Sequence, residues 1–282
     1  MTEFIKSSDG RKLAYEEYGS SHGEVVFYFH GWPGSRLSGA ETDEAGKNIG
    51  VRVISMDRPG FGLSDYKDGR TLLDLANDIT QLADNLKIKK FSLMGVSGGG
   101  PYVAAVAYKI PKRIHKAGIV VGLAPVDIEG NLEGMSLVGK ISWANYHRFP
   151  IMRTIAGING LLGCRYFSKL SLWFGFWAKE DRDLIEKKFG GRMDDSMGEA
   201  FRQGINGPVQ DLKIYTDDWG FKLKDIKAKI YLWYGAKDKN VSLYMGKYYN
   251  SQIPNSELFV DPNGGHLFRN NIEEEILQML TS

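Results

Sequence analysis

The sequence has little cysteine and no long apolar run. Cys164 is the only cysteine among 282 residues, which excludes a disulfide within the chain and a metal cluster built on several thiolates. No apolar stretch approaches the ~20 residues that a membrane-spanning helix needs. Residues 1–10 lack the apolar core of a secretion signal. We therefore expect a soluble cytoplasmic protein with no membrane span.

Charge of one sign and histidine are also scarce. The chain has 36 Lys and Arg against 34 Asp and Glu, a net charge of +2, and its lysines are scattered. This balance predicts neither a nucleic-acid partner nor a polybasic membrane surface. Five histidines are too few to suggest a metal site, and the glycines around residue 97 do not form a dinucleotide-binding fingerprint. We expect no cofactor, and the sequence leaves the oligomeric state open.

What is present is an alternation of apolar strands with helical periods. With 43% hydrophobic residues, the chain can bury the core of one domain that carries an insertion. A helix is predicted at 72–86, with Thr71 as a possible cap. After an antiparallel start at 12–18, strands are predicted at 25–29, 51–55, 91–94, 118–121, 230–233 and 258–260. Such alternation predicts a mostly parallel, doubly wound α/β sheet.

One long segment interrupts this alternation. Far more residues separate the strand ending near Val121 from the strand at Ile230 than a single crossover helix requires. The segment contains helical patterns at 170–178 and 181–189. Its aromatic residues suggest an enclosed, mostly apolar chamber, although most of them are expected to pack the segment onto the core. These aromatic residues are Trp143, Phe149, Phe167, Trp173 and Trp177.

A serine flanked by glycines is the first candidate for chemistry. The sequence Gly95-Val96-Ser97-Gly98-Gly99 follows the apolar run 91–94 and precedes a helix-like stretch at 101–107. A strand, a tight turn and a helix in this order hold a serine hydroxyl exposed, and small neighbours let the backbone close there. Ser97 is therefore the candidate nucleophile.

A serine hydroxyl needs a base, and the base can be sought among the five histidines. Four of them lie in places that suggest other roles. His22 lies in a polar turn and His115 in a basic connection, while His147 lies in an aromatic segment. His30 opens a glycine-proline loop and is expected to brace it. His266 lies on a glycine-containing loop after the last predicted strand. We therefore take His266 as the candidate base.

Asp238 is the candidate acid that orients His266. It follows the apolar strand at 230–233, at the end where loops of a parallel sheet carry function. Taken alone, an aspartate between two lysines is typical of a solvated loop. Ser97, Asp238 and His266, however, each follow a predicted strand, and they occur in the chain order of a nucleophile, acid and base set.

With these residues the sequence resembles the α/β-hydrolase superfamily, and within it the capped, carboxylesterase-like serine hydrolases. The resemblance extends over most of the chain and includes His30-Gly31-Trp32-Pro33-Gly34 and residues 57–64. It implies an α/β-hydrolase fold with a helical cap at 124–204, inserted after the sixth strand, and a core formed by 1–123 and 205–282. It also implies that the backbone N–H groups of Trp32 and Gly98 form an oxyanion hole. Some relatives supply the acid from the position of Asp127, so this residue competes with Asp238.

The resemblance implies cleavage of a small or medium, mostly apolar carboxylic ester or related acyl bond of a small-molecule substrate. Related haloalkane dehalogenases and epoxide hydrolases carry aspartate where this chain has Ser97, which argues against both reactions. Proline iminopeptidases have a tryptophan in the turn that carries the nucleophile, whereas the run at 97–101 has none. This difference leaves peptidase activity as a minor alternative. A carbon–carbon bond hydrolase acting on a diketone remains an alternative, as does a ligand receptor built on the same fold.

Overall fold

An eight-stranded sheet forms the centre of the fold in the computed structural model, which describes residues 1–163, 177–188, 192–267 and 272–282. The strands are β1 Glu3–Lys6, β2 Lys12–Gly19, β3 Val25–Phe29, β4 Arg52–Met56, β5 Phe91–Val96, β6 Ile114–Val120, β7 Ile230–Gly235 and β8 Ser256–Asp261. Their order across the sheet is β1-β2-β4-β3-β5-β6-β7-β8. β2 pairs antiparallel with both β1 and β4, and the other pairs are parallel.

Helices cover both faces of this sheet. Among the described residues they are α1 Asp43–Ile49, α2 Asp74–Asn85, α3 Gly100–Lys109, α4 Leu137–Arg148, α5 Pro150–Gly163, α6 Lys179–Lys188, α7 Arg192–Ala200, α8 Asn206–Thr216, α9 Leu243–Gln252 and α10 Ile272–Thr281. One apolar cluster packs α2, α3 and α9 on one face, and a second packs α1 and α10 on the other. Because both faces are covered, all five residues of β3 are apolar and buried. The predicted doubly wound, mostly parallel sheet is confirmed.

The structure differs from the prediction in one edge strand and at the ends of predicted elements. β1 was not predicted, because in a four-residue edge strand only Ile5 is buried. β6 begins at Ile114, four residues before the predicted start. The expectation that Thr71 caps the second helix is wrong. That helix begins at Asp74 after Leu73, and the carboxylate of Asp74 instead accepts hydrogen bonds from both the backbone N–H and the hydroxyl of Thr71.

Helices α4 to α8 lie in the long segment between β6 and β7. α4, α5 and α8 pack against one another, and α7 packs against the 3₁₀ helix Arg36–Thr42. The helix predicted at 181–189 corresponds to α6, whereas most of the one predicted at 170–178 lies outside the described residues, as do Phe167 and Trp173. Trp143 packs against Tyr146 and Tyr215, with ring centroids 5.3 and 6.3 Å apart. In the described part of the chain, no helix is long and apolar enough to cross a membrane.

Candidate active site

Ser97 lies on a tight turn between β5 and α3. Its φ is +54°, in the left-handed region that residues other than glycine rarely adopt and that is often found at functional sites. The turn needs small neighbours, because a Cβ on Gly95 would lie 2.6 Å from the Gly99 carbonyl oxygen and one on Gly99 would lie 2.2 Å from the Phe29 oxygen. The sequence therefore presents the half-buried Ser97 at the carboxyl edge of the sheet.

The structure brings Asp238 and His266 together at the same edge. Asp238 Oδ2 lies 2.8 Å from His266 Nδ1, and the side chains are 0% and 10% exposed. Asp238 Oδ1 accepts hydrogen bonds from the backbone N–H groups of Asn240 (2.7 Å) and Val241 (3.0 Å), which fix the carboxylate. Burial alone would lower the pKa of His266, but the carboxylates of Asp238 and Asp181 outweigh it and raise that pKa above its usual value.

Sheet register places the serine turn and this pair on one edge. Val96 at the end of β5 pairs with Val120, Val120 pairs with Trp233, and Gly235 at the end of β7 pairs with Asp261 at the end of β8. Within the described ranges, no hydrogen bond joins the Ser97 hydroxyl to His266. Contacts of this kind often form fully only around bound substrate.

The loop at Gly31 and Trp32 lies against the serine turn. A Cβ on Gly31 would be 3.3 Å from Ser97 Cβ, and one on Gly98 would be 3.1 Å from the Trp32 backbone nitrogen. The indole of Trp32 donates to the Pro208 carbonyl of α8 at 2.9 Å. The backbone nitrogens of Trp32 and Gly98 therefore lie near one another, beside the serine.

The carbonyl groups of the two peptides that carry these nitrogens accept hydrogen bonds. The Gly31 oxygen accepts from Arg58 Nη2 at 3.1 Å and lies 2.9 Å from His30 Nδ1, and the Ser97 oxygen accepts from the Leu123 N–H at 3.0 Å. A hydrogen bond to a peptide oxygen polarises the N–H of the same peptide and makes it a stronger donor. The N–H groups of Trp32 and Gly98 are thus polarised by hydrogen bonds to the oxygens of their own peptides.

His30 supports this loop from inside the protein. Its side chain is completely buried, and its Nε2 lies 3.4 Å from the backbone nitrogen of Arg58, which donates to it. Burial, reinforced by the nearby Arg58 cation, holds the pKa of His30 well below its usual value. A neutral ring in contact with the loop matches the bracing role expected for His30.

A buried group of charged residues lies behind the loop. Asp211 on α8 binds both Arg58, at 2.8 Å, and Arg70, and the three side chains are 0%, 1% and 2% exposed. Asp211 also accepts a hydrogen bond from Tyr102 at 2.6 Å. The Tyr215 hydroxyl, which has one proton to donate, lies 2.9 Å from Asp211 and 2.8 Å from the Gly98 carbonyl oxygen. Two guanidinium groups share one carboxylate here, so the group carries an excess positive charge.

The remaining residues singled out from the sequence lie elsewhere. Asp127 is exposed and makes no hydrogen bond to His266 in the part of the chain that the structure describes. His22 and His115 are exposed, and the side chain of His147 lies outside the described residues.

Sequence reasoning missed Asp181 and Asp211. Asp181, on α6, accepts a hydrogen bond from Leu267 next to His266, and Asp211 lies on α8. Both make contacts with residues more than 80 positions away in sequence, and no local pattern indicates such pairs.

Two openings lie next to residues of the candidate site, one beside Arg70 and one beside His266. A cavity of about 460 Å³ lies between residues 66–72, the first turn of α5 and α8, and its lining includes Arg70, Arg153 and Gln210. A smaller cleft of about 50 Å³ lies beside His266 and includes Val96 and Leu267. Arg70 therefore belongs both to the lining of the larger cavity and to the charged group behind the loop.

The chain is similar to known proteins in both sequence and structure. In sequence, the chain is similar to a non-heme chloroperoxidase of Streptomyces lividans, at 34% identity over 140 residues, which are 47% of this chain and 50% of the chloroperoxidase. That match thus spans half of the relative. A 2-hydroxy-6-oxononadienedioate/2-hydroxy-6-oxononatrienedioate hydrolase of Escherichia coli is 28% identical over 222 residues, or 77% of this chain and 70% of the hydrolase.

Structural comparison shows the same fold in an esterase from Exiguobacterium antarcticum, with a TM-score of 0.71, 21% identity and coverage of 99% of this chain and 98% of the esterase. The sequence model for the alpha/beta hydrolase fold matches residues 24–268. The chain is therefore a member of the alpha/beta hydrolase family.

Proposed function

We propose that this protein is a serine hydrolase that cleaves a small or medium, mostly apolar carboxylic ester through an acyl-enzyme. Ser97 is the nucleophile, His266 the general base and Asp238 the acid that orients it. The observation that carries the proposal is the left-handed Ser97, set at the same sheet edge as a His266 whose Nδ1 lies 2.8 Å from a buried carboxylate. This is the arrangement by which other folds activate a serine hydroxyl.

The proposed reaction has two halves. Because Nδ1 of His266 faces Asp238, Nε2 is left to take the Ser97 proton as Oγ attacks the substrate carbonyl carbon. The protonated imidazole then gives that proton to the leaving alcohol. Water then attacks the acyl carbon and loses a proton to His266. The imidazole returns this proton to Ser97 Oγ as the acyl–oxygen bond breaks, which releases the acid and restores Ser97.

We propose that the Trp32 and Gly98 N–H groups bind the oxyanion. Both donors belong to backbone already fixed by hydrogen bonds to the Gly31 and Ser97 oxygens. Donors held in place before the reaction need no reorganisation as negative charge develops. The excess positive charge of Arg58, Arg70 and Asp211 acts in the same direction.

We also propose that residues 124–204 form a cap over a core made of 1–123 and 205–282. Trp177 supports this assignment, because its ring centroid lies 6.0 Å from that of His266 in an edge-on arrangement. An aromatic side chain of the inserted segment therefore contacts the proposed base. A site covered in this way favours apolar acyl groups of limited size.

Replacing the nucleophile tests the proposal. Ser97→Ala should lower kcat on p-nitrophenyl esters of graded chain length by ~10⁴-fold or more, while the circular dichroism spectrum stays unchanged. A serine-directed phosphonate should label the wild-type protein once, and should not label Ser97→Ala. Ser251→Ala, at an exposed serine on α9, is the matched control and should behave like wild type. Ser97→Ala activity within about tenfold of wild type would exclude Ser97 as the nucleophile.

A second candidate is hydrolysis of a carbon–carbon bond in a diketone by the same three residues. The match to the Escherichia coli hydrolase over 77% of the chain favours it. Measuring kcat/KM for a vinylogous 1,5-diketone acid beside that for the best ester separates the two. A larger value for the diketone would replace the ester proposal.

A further inference from the structure

The first turn of α6 is fastened to the loop that carries His266. Asp181, in this turn, is fully buried, and its Oδ1 accepts the backbone N–H of Leu267 at 2.8 Å. The same carboxylate lies against Gly265, where an added Cβ would be 2.3 Å from Oδ1. Asp181 therefore contacts the residues on both sides of His266.

The other oxygen of Asp181 holds the helix itself. Oδ2 accepts the N–H of Ala178, the residue just before α6, at 3.3 Å. A carboxylate in the first turn of a helix also interacts favourably with the positive end of the helix dipole. One side chain thus fixes the start of α6 and the His266 loop in a common position.

Two neighbouring residues join the same two segments. Glu180 pairs with Lys237 at 2.8 Å, and Lys237 directly precedes Asp238. Trp177 contacts the His266 ring, as described above. The start of α6 therefore reaches the loops of both the proposed acid and the proposed base.

We propose that Asp181 is a positioning residue for His266. While α6 packs against the His266 loop, the Asp181 carboxylate holds the imidazole in its orientation and stabilises its protonated form. This inference rests on the proposed function, because it assigns Asp181 to the base of that reaction. It means that the inserted segment contributes to the catalytic group itself as well as covering the substrate.

The electrostatics of the site agree with this role. Two carboxylates face His266: Asp238 from the loop after β7 and Asp181 from α6, while Glu180 faces Lys237. Burial of Asp181 raises its own pKa, although the N–H of Leu267 and the charge of His266 oppose that rise. An ionised Asp181 stabilises the protonated form of His266, so removal of its charge lowers the pKa of His266.

Two substitutions separate positioning from charge. Asp181→Asn keeps an acceptor for Leu267 but removes the charge, so the acid limb of the kcat/KM profile should move to lower pH with KM nearly unchanged. Asp181→Ala removes the acceptor as well, and should lower kcat by ~10²-fold, the cost of a misplaced catalytic group. Asp195→Asn, the same substitution at an exposed aspartate on α7 of the inserted segment, is the control and should shift neither quantity.

The decisive measurement does not depend on turnover. Titration of the His266 ring by ¹⁵N NMR, assigned with His266→Gln, should show a lower pKa in Asp181→Asn than in wild type. An unchanged His266 pKa and acid limb in a folded Asp181→Asn, together with wild-type kcat in a folded Asp181→Ala, would overturn the inference. Should Ala at 181 prevent folding, Asp181→Asn alone decides through the titration.

Failure of the inference and failure of the proposed function give different results. If Ser97→Ala is inactive while both Asp181 variants match wild type, only the role of Asp181 is wrong. If Ser97→Ala stays active, the hydrolase proposal fails, and the NMR titration still reports whether Asp181 acts on His266.

Discussion

Asp211→Asn should destabilise the protein severely, because it leaves two buried cations without their anion. The Arg58 and Arg70 side chains are 1% and 2% exposed, and Asp211 binds both. Removing one partner of a buried ion pair typically costs about 3–5 kcal/mol. Unfolding entropies of roughly 2.1 cal/mol/K per residue give roughly 0.6 kcal/mol/K for 282 residues. The expected loss in Tm is therefore about 5–8 °C.

The pH dependence of this loss follows from the Asp211 carboxylate. Burial would raise its pKa, but Arg58 and Arg70 together lower it to about 2. A group whose pKa is depressed in the folded state contributes its stability above its unfolded value, and loses it as pH falls through the folded value. The free energy of unfolding that Asp211→Asn loses relative to wild type should thus be greatest above about pH 4 and should decrease toward pH 2.

Urea unfolding at pH 7, 4 and 3, followed by circular dichroism, measures this difference. Asp217→Asn is the matched control, since Asp217 lies just beyond the same helix and pairs at the surface with Lys213. It should cost at most about 1 kcal/mol. If Asp211→Asn lowered the free energy of unfolding at pH 7 no more than Asp217→Asn does, the pairs of Asp211 with Arg58 and Arg70 would not stabilise the fold as inferred here.

Three further predictions concern the candidate site. Asp238→Asn should lower kcat by ~10⁴-fold, whereas Asp127→Asn, at an exposed residue, should change it little, and the reverse ranking in folded variants would move the acid to Asp127. Gly235→Ala should lower kcat by ~10²-fold, because its Cβ would lie 2.2 Å from the Gly265 oxygen and displace the His266 loop. Gly198→Ala is the control, because a Cβ at that position would have no atom within 4 Å. Equal kcat for the two variants would show that Gly235 does not set the position of the His266 loop. Finally, kcat/KM for a short soluble ester should far exceed that for an emulsified long-chain lipid, and comparable values would contradict an enclosed site.

The sequence predicted the loops of the candidate site because strands fix them. Ser97, Asp238 and His266 each follow an apolar strand of a parallel sheet, and the carboxyl ends of such strands meet at one edge. Local composition therefore carried enough information to place these residues. Their roles in catalysis stay predictions until the variants above are measured.

Other features depend on contacts that no local pattern encodes. β1 is paired to the sheet along its backbone, with only Ile5 buried, so its apolar signal is too weak to predict it. Asp181 was expected only as part of a helix, and its contact with Leu267 joins residues 86 positions apart. The ion pair of Asp211 with Arg58 bridges 153 positions. Such pairs are set by tertiary packing alone.

The place of α8 limits how inserted segments can be exchanged between proteins of this fold. α8 follows residues 124–204 in the chain, yet its Asp211 forms ion pairs with both Arg58 and Arg70, and its Pro208 carbonyl accepts a hydrogen bond from the Trp32 indole. A chimaera that takes a foreign segment joined before Ile205 keeps these contacts. One joined after Thr216 leaves two guanidinium groups buried without a carboxylate. The working boundary for recombination therefore lies on the amino-terminal side of α8.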